Sequence, residues 1–219
     1  MRMRRKKNLE RRLDQTSALL LGRLFYGGEF NDNKPLCFRE IFGNDAPVFL
    51  EIGSGKGGFA IQTARDNPDI NIIALEKCEN VVVTALEQAG SQPNLRFIIG
   101  IAEELPRIIT SGSISGIWLN FSCPYPKKYQ QNRRLTNKRF LRIYNQLLSS
   151  DAVVKQKTDN EGFFQYSRES FAENNWDIIR ESVDFKSEDE NEAVTEYERK
   201  FRGEGKPIYR IVAKWGGRD

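Results

Sequence analysis

The residues with the clearest chemical potential lie between positions 119 and 134. An apolar run that ends at Leu119 predicts a buried strand, and a rigid Cys-Pro-Tyr-Pro turn follows at 123–126. Two lysines, Lys127 and Lys128, come directly after this turn. A turn at the carboxyl end of a parallel strand presents backbone carbonyls and an aromatic face to a flat ligand. Because this turn leads into positive charge, the pattern favours a nucleobase held beside a phosphate backbone.

Charge is distributed unevenly along the chain, although the net charge is only +4. Residues 127–142 are rich in lysine and arginine and contain no acid, residues 1–12 are almost as basic, and residues 188–198 are acidic. A run of charge is often no more than a solvated face. The block at 127–142 adjoins the predicted turn and has no nearby acids to pair with, so phosphate contact is the preferred interpretation there.

A second cluster follows an earlier predicted strand. The sequence Glu-Ile-Gly-Ser-Gly-Lys-Gly-Gly at 51–58 predicts a tight turn with close backbone approach at a helix start, or a plain strand-to-helix connection. Glu76 ends the next strand, where a carboxylate can bind two ribose hydroxyls. Glu51 precedes the first glycine and suits a ligand with an ammonium group better than a pyrophosphate. S-adenosylmethionine (SAM) carries both groups, and a nicotinamide dinucleotide is the weaker alternative.

Alternating strand and helix patterns must position these clusters. The predicted strands are 48–53, 72–76, 95–100, 114–121, 152–157, 176–185 and 207–215, and the predicted helices are 59–65, 79–89, 103–109, 138–148 and 162–174. The alternation predicts an α/β fold with a seven-stranded, mostly parallel, doubly wound sheet and helices on both faces. Ligands bind at the carboxyl ends of the strands in such sheets. Residues 1–40 are predicted to be a basic N-terminal arm and lead-in segment, partly disordered, and residues 41–219 the folded domain.

Composition excludes several classes of protein. The chain has no histidine, which excludes Ser-His and Cys-His catalytic pairs and histidine-ligated metals. Its three cysteines, Cys37, Cys78 and Cys123, are isolated and predict reduced thiols in a cytoplasmic protein. No apolar run is long enough to span a membrane, and the charged start does not resemble a secretory signal. We therefore expect no metal and no membrane partner.

Five motifs occur in an order that is specific to one family. They are Glu-Ile-Gly-Ser-Gly-Lys-Gly (51–57), Leu-Asn-Phe-Ser-x-Pro-x-Pro-Lys-Lys (119–128), Arg-Arg-Leu-Thr (133–136), Lys-Thr-Asp-Asn (157–160) and Thr-Glu-Tyr-Glu-x-x-Phe (195–201). From about residue 40 to the C-terminus the chain resembles the bacterial tRNA (guanine-N7)-methyltransferases. The resemblance implies a Rossmann-like, SAM-dependent methyltransferase domain that methylates N7 of guanosine G46 in the variable loop of its partner, tRNA.

The resemblance also implies roles at matching positions. The expected cofactor-binding residues are Glu51, Gly53, Gly55, Gly57, Glu76, Ile101, Ala102, Asn120 and Cys123. The expected substrate-binding residues are Lys127, Asp159, Thr195 and Glu198. The expected RNA-contact residues are Lys128, Tyr129, Gln130, Gln131, Asn132, Arg133 and Arg134. The expected catalytic positions are Asp159 and Cys123, the latter standing where the family has an aspartate.

Two of these positions depart from the family pattern. Ile101 replaces an aspartate expected beside the adenine, and Cys123 replaces the aspartate usually regarded as catalytic. Guanine N7 is a lone pair with no proton to remove, so positioning can supply much of the acceleration and we expect an active methyltransferase. The alternatives are a silent paralogue that binds tRNA and SAM, or a SAM-dependent methyltransferase with another substrate. Cys123 is expected to be a small packed residue rather than a nucleophile, and either a monomer or a homodimer is compatible with the sequence.

Overall fold

The computed structural model describes residues 5–26, 34–190 and 192–217, and the chain divides into two compact units, 1–109 and 110–219. The N-terminal unit contains α1 (Leu9–Gln15), β1 (Leu20–Leu24), α2 (Phe38–Phe42), β2 (Val48–Ile52), α3 (Gly58–Asp66), β3 (Asn71–Glu76), α4 (Glu79–Ala89) and β4 (Leu95–Gly100). The C-terminal unit contains β5 (Ile114–Asn120), α5 (Lys138–Leu147), β6 (Leu148–Thr158), α6 (Glu161–Glu173), β7 (Trp176–Ser182), α7 (Glu196–Gly203) and β8 (Tyr209–Trp215).

The strands of the N-terminal unit are all parallel and follow the order β1-β4-β3-β2. Strand β3 contains an apolar run, Ile72 to Leu75, and all four of these residues are buried. Such runs are typical of parallel strands covered on both faces. Helices α3 and α4 pack against β3 and β4. Because these strands run in one direction, the residues after Ile52, Leu75 and Gly100 lie along one edge of the sheet.

The C-terminal unit has the strand order β5-β6-β8-β7. Strands β5 and β6 are parallel, whereas β8 is antiparallel to both β6 and β7. Helices α5 and α6 pack against β6, and α6 also covers β7 and β8. Asn120 lies opposite Lys157 in the β5–β6 register, so the residues that follow these two strands share an edge.

The predicted α/β alternation is confirmed, but the described residues form eight strands rather than seven. The additional strand is β1, which the sequence analysis placed in a lead-in segment. It pairs in parallel with β4, and Leu24 lies opposite Gly100. A Cβ atom at Gly100 would lie 2.3 Å from the Leu24 carbonyl oxygen, so glycine permits the close approach of these strands. The strand therefore depends on a tertiary contact that local sequence does not reveal.

The described part of the lead-in segment is folded. Leu9 and Leu13 of α1 are buried, and the helix packs on α4. The guanidinium of Arg12 donates two hydrogen bonds to the carboxylate of Glu87, each 2.7 Å long. Residues 1–4 and 27–33 lie outside the described residues, and the division of the chain at residue 40 stays a prediction.

Candidate functional site

A glycine-rich loop joins β2 to α3 in the N-terminal unit. Gly53, Gly55 and Gly57 have φ angles of 84°, 57° and 77°, a region in which other residues are strained. A Cβ atom on Gly57 would lie 2.8 Å from the Cβ of Ala85, so packing against α4 requires glycine there. Apart from the adjacent residues of the chain, no described atom lies within 4 Å of a Cβ built on Gly53 or Gly55. The loop thus leaves the backbone open at its first two glycines.

Glu76 closes one side of this loop. Its carboxylate accepts hydrogen bonds from the backbone N–H of Gly55, at 3.2 Å, and of Cys78, at 2.9 Å. These contacts hold both oxygens beside the glycine loop. Each carboxylate oxygen retains a further lone pair that can accept a hydroxyl from a ligand.

Two more polar residues lie at the end of β2. Glu51 is only 2% exposed, and Ser54 is buried in the loop itself. The hydroxyl of Ser54 has no hydrogen-bond partner among the described residues. Because buried hydroxyls in proteins are normally hydrogen-bonded, this one can bond to a polar group of a ligand in the loop. The loop, Glu76 and Ser54 together form a cradle for a polar ligand.

Strands β4 and β5 contribute the remaining residues expected at the cofactor. Ile101 follows β4 and donates its backbone N–H to the Leu24 carbonyl at 3.1 Å, and Ala102 behind it is buried. In the C-terminal unit Asn120 is the buried last residue of β5, and Cys123 is exposed three residues later. Each of these residues therefore lies at the carboxyl end of a parallel strand, within its own unit.

The loop after β5 has a strained backbone. Phe121 and Tyr125 have φ angles of 49° and 41°, which are unusual for bulky residues. The Arg134 guanidinium donates to the carbonyl oxygens of Pro124, at 2.8 Å, and Tyr125, at 3.1 Å. It also lies 4.2 Å from the centre of the Tyr166 ring. Arg134 therefore supports the Pro-Tyr-Pro turn from inside the protein.

A cationic 3-10 helix, Lys128–Arg133, follows this turn. Lys127, Lys128, Tyr129, Asn132 and Arg133 are exposed, and Gln130 and Gln131 are partly exposed. The Tyr129 ring is 75% exposed, and the Lys127 ammonium lies 5.9 Å from its centre. The Arg133 guanidinium lies 4.5 Å from the centre of the Tyr125 ring. This surface combines cations with aromatic faces, as surfaces that bind single-stranded nucleic acid do.

A buried charge pair joins β6 to α7. The Lys157 ammonium lies 3.4 Å from the Glu198 carboxylate, and donates to the Ser187 hydroxyl at 2.9 Å. Ser187 in turn donates its backbone N–H, at 3.0 Å, and its hydroxyl, at 2.6 Å, to Glu198. The Thr195 hydroxyl caps α7 by accepting from the Glu198 N–H at 2.9 Å. Both acceptor oxygens of Glu198 are thus occupied inside the protein.

The acidic stretch before α7 is held by ion pairs with residues of β6 and β8. Glu192 accepts from Lys155 and from Arg210, each at 2.8 Å. Burial works to raise the pKa of Glu192, but the surrounding cations outweigh burial and hold that pKa below its ordinary range. Burial lowers the pKa of the Lys157 ammonium, and the neighbouring carboxylates only partly offset this. This part of the chain includes a 3-10 helix, Ser187–Glu190.

Asp159 lies at the same edge as the loop after β5. It follows β6 directly and is partly exposed, with the Lys206 ammonium 3.9 Å from its carboxylate. The N-cap of α6 is Asn160, whose side chain accepts from the Phe163 N–H at 2.8 Å. Since Asn160 caps the helix, the Asp159 carboxylate remains available at the surface.

Comparison with known proteins identifies the family. The family described as "Putative methyltransferase" matches residues 45–211. A tRNA (guanine-N(7)-)-methyltransferase from Listeria monocytogenes serotype 4b (strain F2365) is 46% identical over 181 residues, which are 81% of this chain and 85% of the relative. The chain belongs to the tRNA (guanine-N7)-methyltransferase family. The resemblance of its motifs to that family is therefore confirmed.

Solved structures confirm the Rossmann-like methyltransferase fold. The 16S rRNA methyltransferase KamB superposes with a TM-score of 0.65 at 16% identity, over 90% of this chain and all of KamB. A geranyl diphosphate C-methyltransferase from Streptomyces coelicolor A3(2), solved with S-adenosyl-L-homocysteine, gives 0.54 at 12% identity, over 80% of this chain and 72% of that one. At these identities the likeness is one of fold.

Three of the residues expected to contact substrate or RNA lie in the interior of this member of the tRNA (guanine-N7)-methyltransferase family. Arg134 is 7% exposed, and Thr195 and Glu198 are 5% and 0% exposed. Each is held by hydrogen bonds within the protein, because the guanidinium supports a turn and the other two organise the start of α7. Direct contact of these three residues with substrate or RNA stays a prediction, as does that of Lys127 and Asp159, whose side chains are accessible.

Sequence reasoning missed Lys157 and Ser187, which hold Glu198. Lys157 belongs to the Lys-Thr-Asp-Asn motif, and a lysine within a predicted buried strand was the available signal. Nothing local marks Ser187 as its partner. Among the described residues no helix is long and apolar enough to cross a membrane, and no group of acidic, cysteine or histidine side chains could hold a metal.

Proposed function

We propose that this protein transfers the methyl group of SAM to N7 of a guanosine in tRNA, at position G46 of the variable loop. The observation that carries the proposal is the 46% identity to a tRNA (guanine-N(7)-)-methyltransferase over 81% of the chain. The family's motif residues Glu51, Glu76 and Asp159 all lie at carboxyl ends of strands, where ligands bind in this fold.

The cradle in the N-terminal unit fits SAM. The Glu76 carboxylate suits the two ribose hydroxyls, and the unsatisfied Ser54 hydroxyl suits a polar group of the amino-acid moiety. Glu51 would balance the ammonium, while the open backbone at Gly53 and Gly55 allows close approach. Ile101 and Ala102, which follow β4 in the same unit, would complete this cradle. SAM, when bound, supplies an electrophilic methyl group on a sulfonium.

The chemistry requires alignment more than a base. Guanine N7 presents a lone pair, so no proton has to be removed before it attacks. Holding the base in line with the methyl group would supply much of the acceleration. Methylation leaves positive charge on the guanine, and the accessible Asp159 carboxylate can stabilise that charge as it develops. Cys123 would then need to provide no more than shape at the end of β5.

The cationic surface supports an RNA substrate. Lys127, Lys128 and Arg133 are exposed, so their charges are accessible to phosphates. Tyr129 among them offers an exposed ring for a base. A small-molecule methyltransferase would leave this surface without a role.

Nucleoside mass spectrometry tests the proposal. The protein is incubated with SAM carrying a labelled methyl group and with unmodified tRNA, and the digested nucleosides are analysed. We expect labelled 7-methylguanosine, and its loss from a tRNA with adenosine at position 46. The replacements at Ile101 and Cys123 favour a second candidate, a silent paralogue that binds tRNA and SAM. Binding of both without any 7-methylguanosine would establish that candidate and overturn the proposal.

A further inference from the structure

Three aromatic rings meet at the carboxyl end of β5. Phe121 directly follows this strand, and Tyr197 and Phe201 lie four residues apart on α7, so they share a face of that helix. The ring centre of Phe121 is 6.0 Å from that of Tyr197 and 5.7 Å from that of Phe201. The rings of Tyr197 and Phe201 are 6.1 Å apart and inclined by 24°. We call this set the aromatic platform.

The aromatic platform is open to solvent and surrounded by cations. Tyr197 is 54% exposed, although an aromatic ring gains free energy when it is covered. The ammonium groups of Lys206 and Lys200 lie 4.7 Å and 5.4 Å from the centre of the Phe201 ring. The same Lys206 ammonium lies 3.9 Å from the Asp159 carboxylate. The platform therefore shares its edge with the accessible carboxylate of the proposed site.

Helix α7 presents two chemically different sides. Glu198 is fully buried and holds Ser187 and Lys157, whereas Tyr197 beside it in sequence is exposed. The Thr-Glu-Tyr-Glu-x-x-Phe motif thus contains buried residues that fix the helix and aromatic residues that the fixed helix displays. Thr195 and Glu198 have a structural role in fixing the helix. The role of the displayed residues Tyr197 and Phe201 is not explained by that packing.

We propose that the aromatic platform stacks the target guanine, with Tyr197 as the contact ring and Phe121 and Phe201 bracing it. An exposed ring beside cations is the arrangement that binds a base next to its phosphate. In the transfer a bond forms between N7 and the methyl carbon while the carbon–sulfur bond breaks. The sulfur becomes neutral and the guanine cationic. Because aromatic faces attract cations, the platform stabilises the methylated base more than the unmodified one.

The inference rests on the proposed function, and its experiment separates the two. Binding of guanosine 5′-monophosphate and 7-methylguanosine 5′-monophosphate is measured by NMR titration, and methyl transfer to tRNA by steady-state kinetics. Wild type is compared with Tyr197→Leu, Tyr197→Phe and the control Tyr26→Leu, which alters a tyrosine that is 74% exposed in the N-terminal unit. Calorimetry with SAM and thermal unfolding verify that each variant is folded.

We expect the methylated nucleotide to bind wild type more tightly, with ring-current shifts of its purine proton. Tyr197→Leu should lower kcat/KM on the order of tenfold and abolish this preference. Tyr197→Phe should retain both, because it keeps the ring, and Tyr26→Leu should match wild type. If Tyr197→Leu shows wild-type kinetics, the proposal that the platform stacks the guanine is wrong, while the proposed methyltransferase function is unaffected. If wild type makes no 7-methylguanosine the proposed function fails, and the nucleotide titration alone then decides whether the platform stacks a purine.

Discussion

The Lys157 ammonium lies 3.4 Å from the Glu198 carboxylate, and the two side chains are 1% and 0% exposed. Moving two charges out of water costs desolvation free energy, which their attraction offsets only if hydrogen bonds complete the geometry. Ser187 provides those bonds to both partners. The two charges therefore stabilise each other, together with Glu192 at 3.7 Å from Lys157 and Arg202 at 3.7 Å from Glu198. They fix α7, which carries Tyr197 and Phe201 of the aromatic platform.

Removal of one partner should destabilise the protein strongly. Lys157→Met removes the nearer cation from the buried Glu198 carboxylate and leaves the Arg202 guanidinium at 3.7 Å, and we expect a loss of about 3 kcal/mol in the free energy of unfolding. The double variant Lys157→Met with Glu198→Gln also removes the buried carboxylate charge and should regain part of this loss. Urea unfolding of the two single variants and the double variant gives the coupling energy between the residues.

A surface ion pair provides the control for this set of single and double variants. The Lys214 ammonium lies 2.9 Å from Asp151, whose side chain is 92% exposed. Lys214→Met should cost less than about 1 kcal/mol, as is usual for exposed pairs. Equal costs for Lys157→Met and Lys214→Met would show that the buried pair has no special role.

Acid should weaken the network around Glu192. The lowered pKa of Glu192 means that its folded form holds a proton less readily than the unfolded chain does. Its contribution to stability is present above the ordinary glutamate pKa of about 4.3, and is lost as pH falls through the lower folded value. We expect the unfolding free energy of Glu192→Gln to fall less between pH 7 and pH 4 than that of wild type. Glu169→Gln, at an exposed glutamate of α6, should keep the wild-type slope.

Alkali should relieve the cost of burying the Lys157 ammonium, so stability changes with pH in the same direction as for Glu192. Its folded pKa is lowered, so the unfolded chain binds more protons between that value and the ordinary lysine pKa of about 10.4. Its contribution therefore makes the protein more stable as pH rises through this window. Lys157→Met should lack this component in unfolding measurements from pH 7 to pH 10, and an unchanged profile would contradict the burial argument.

Local periodicity predicted most of the helices and strands, but not the strand pairs and charge pairs that form between residues far apart in the sequence. Strand β4 matched its prediction because an apolar run bounded by turns is a local signal, and β1 was missed because it depends on pairing with a distant strand. At the site, the glycine loop follows β2 and Glu76 ends β3, the next strand in the chain. Their proximity could therefore be predicted from their spacing in the sequence. Lys157 and Glu198 are 41 residues apart, and local sequence does not record which buried charges will meet.

The thiol of Cys123 should be dispensable for turnover. The side chain is exposed at the end of the loop after β5, and N7 alkylation has no step that needs a thiol or a base. We expect Cys123→Ser to change kcat by less than about twofold, with Cys37→Ser at another exposed cysteine as the control. A large loss specific to Cys123→Ser would indicate a nucleophilic role.

A carboxylate at position 123 tests the departure from the family pattern. Cys123→Asp introduces a charge at an exposed position, so it costs little desolvation. If positioning and Asp159 already stabilise the developing charge, the variant should gain only a few-fold in kcat. A gain of a hundredfold or more would show that the natural protein is catalytically weakened at this position.

Salt dependence should distinguish the exposed cations from Arg134. Lys128 is exposed on the 3-10 helix, so Lys128→Ala removes one phosphate contact and should reduce the slope of log K against log salt by about 0.7 to 0.9. Arg134→Gln removes the bonds that hold Pro124 and Tyr125, and should lower stability and kcat without a matching change in slope. Arg65→Ala, at an exposed arginine of α3, is the matched control. Filter binding to tRNA between 50 and 200 mM salt measures each slope, and a change for Arg134→Gln as large as that for Lys128→Ala would place its guanidinium on the RNA instead.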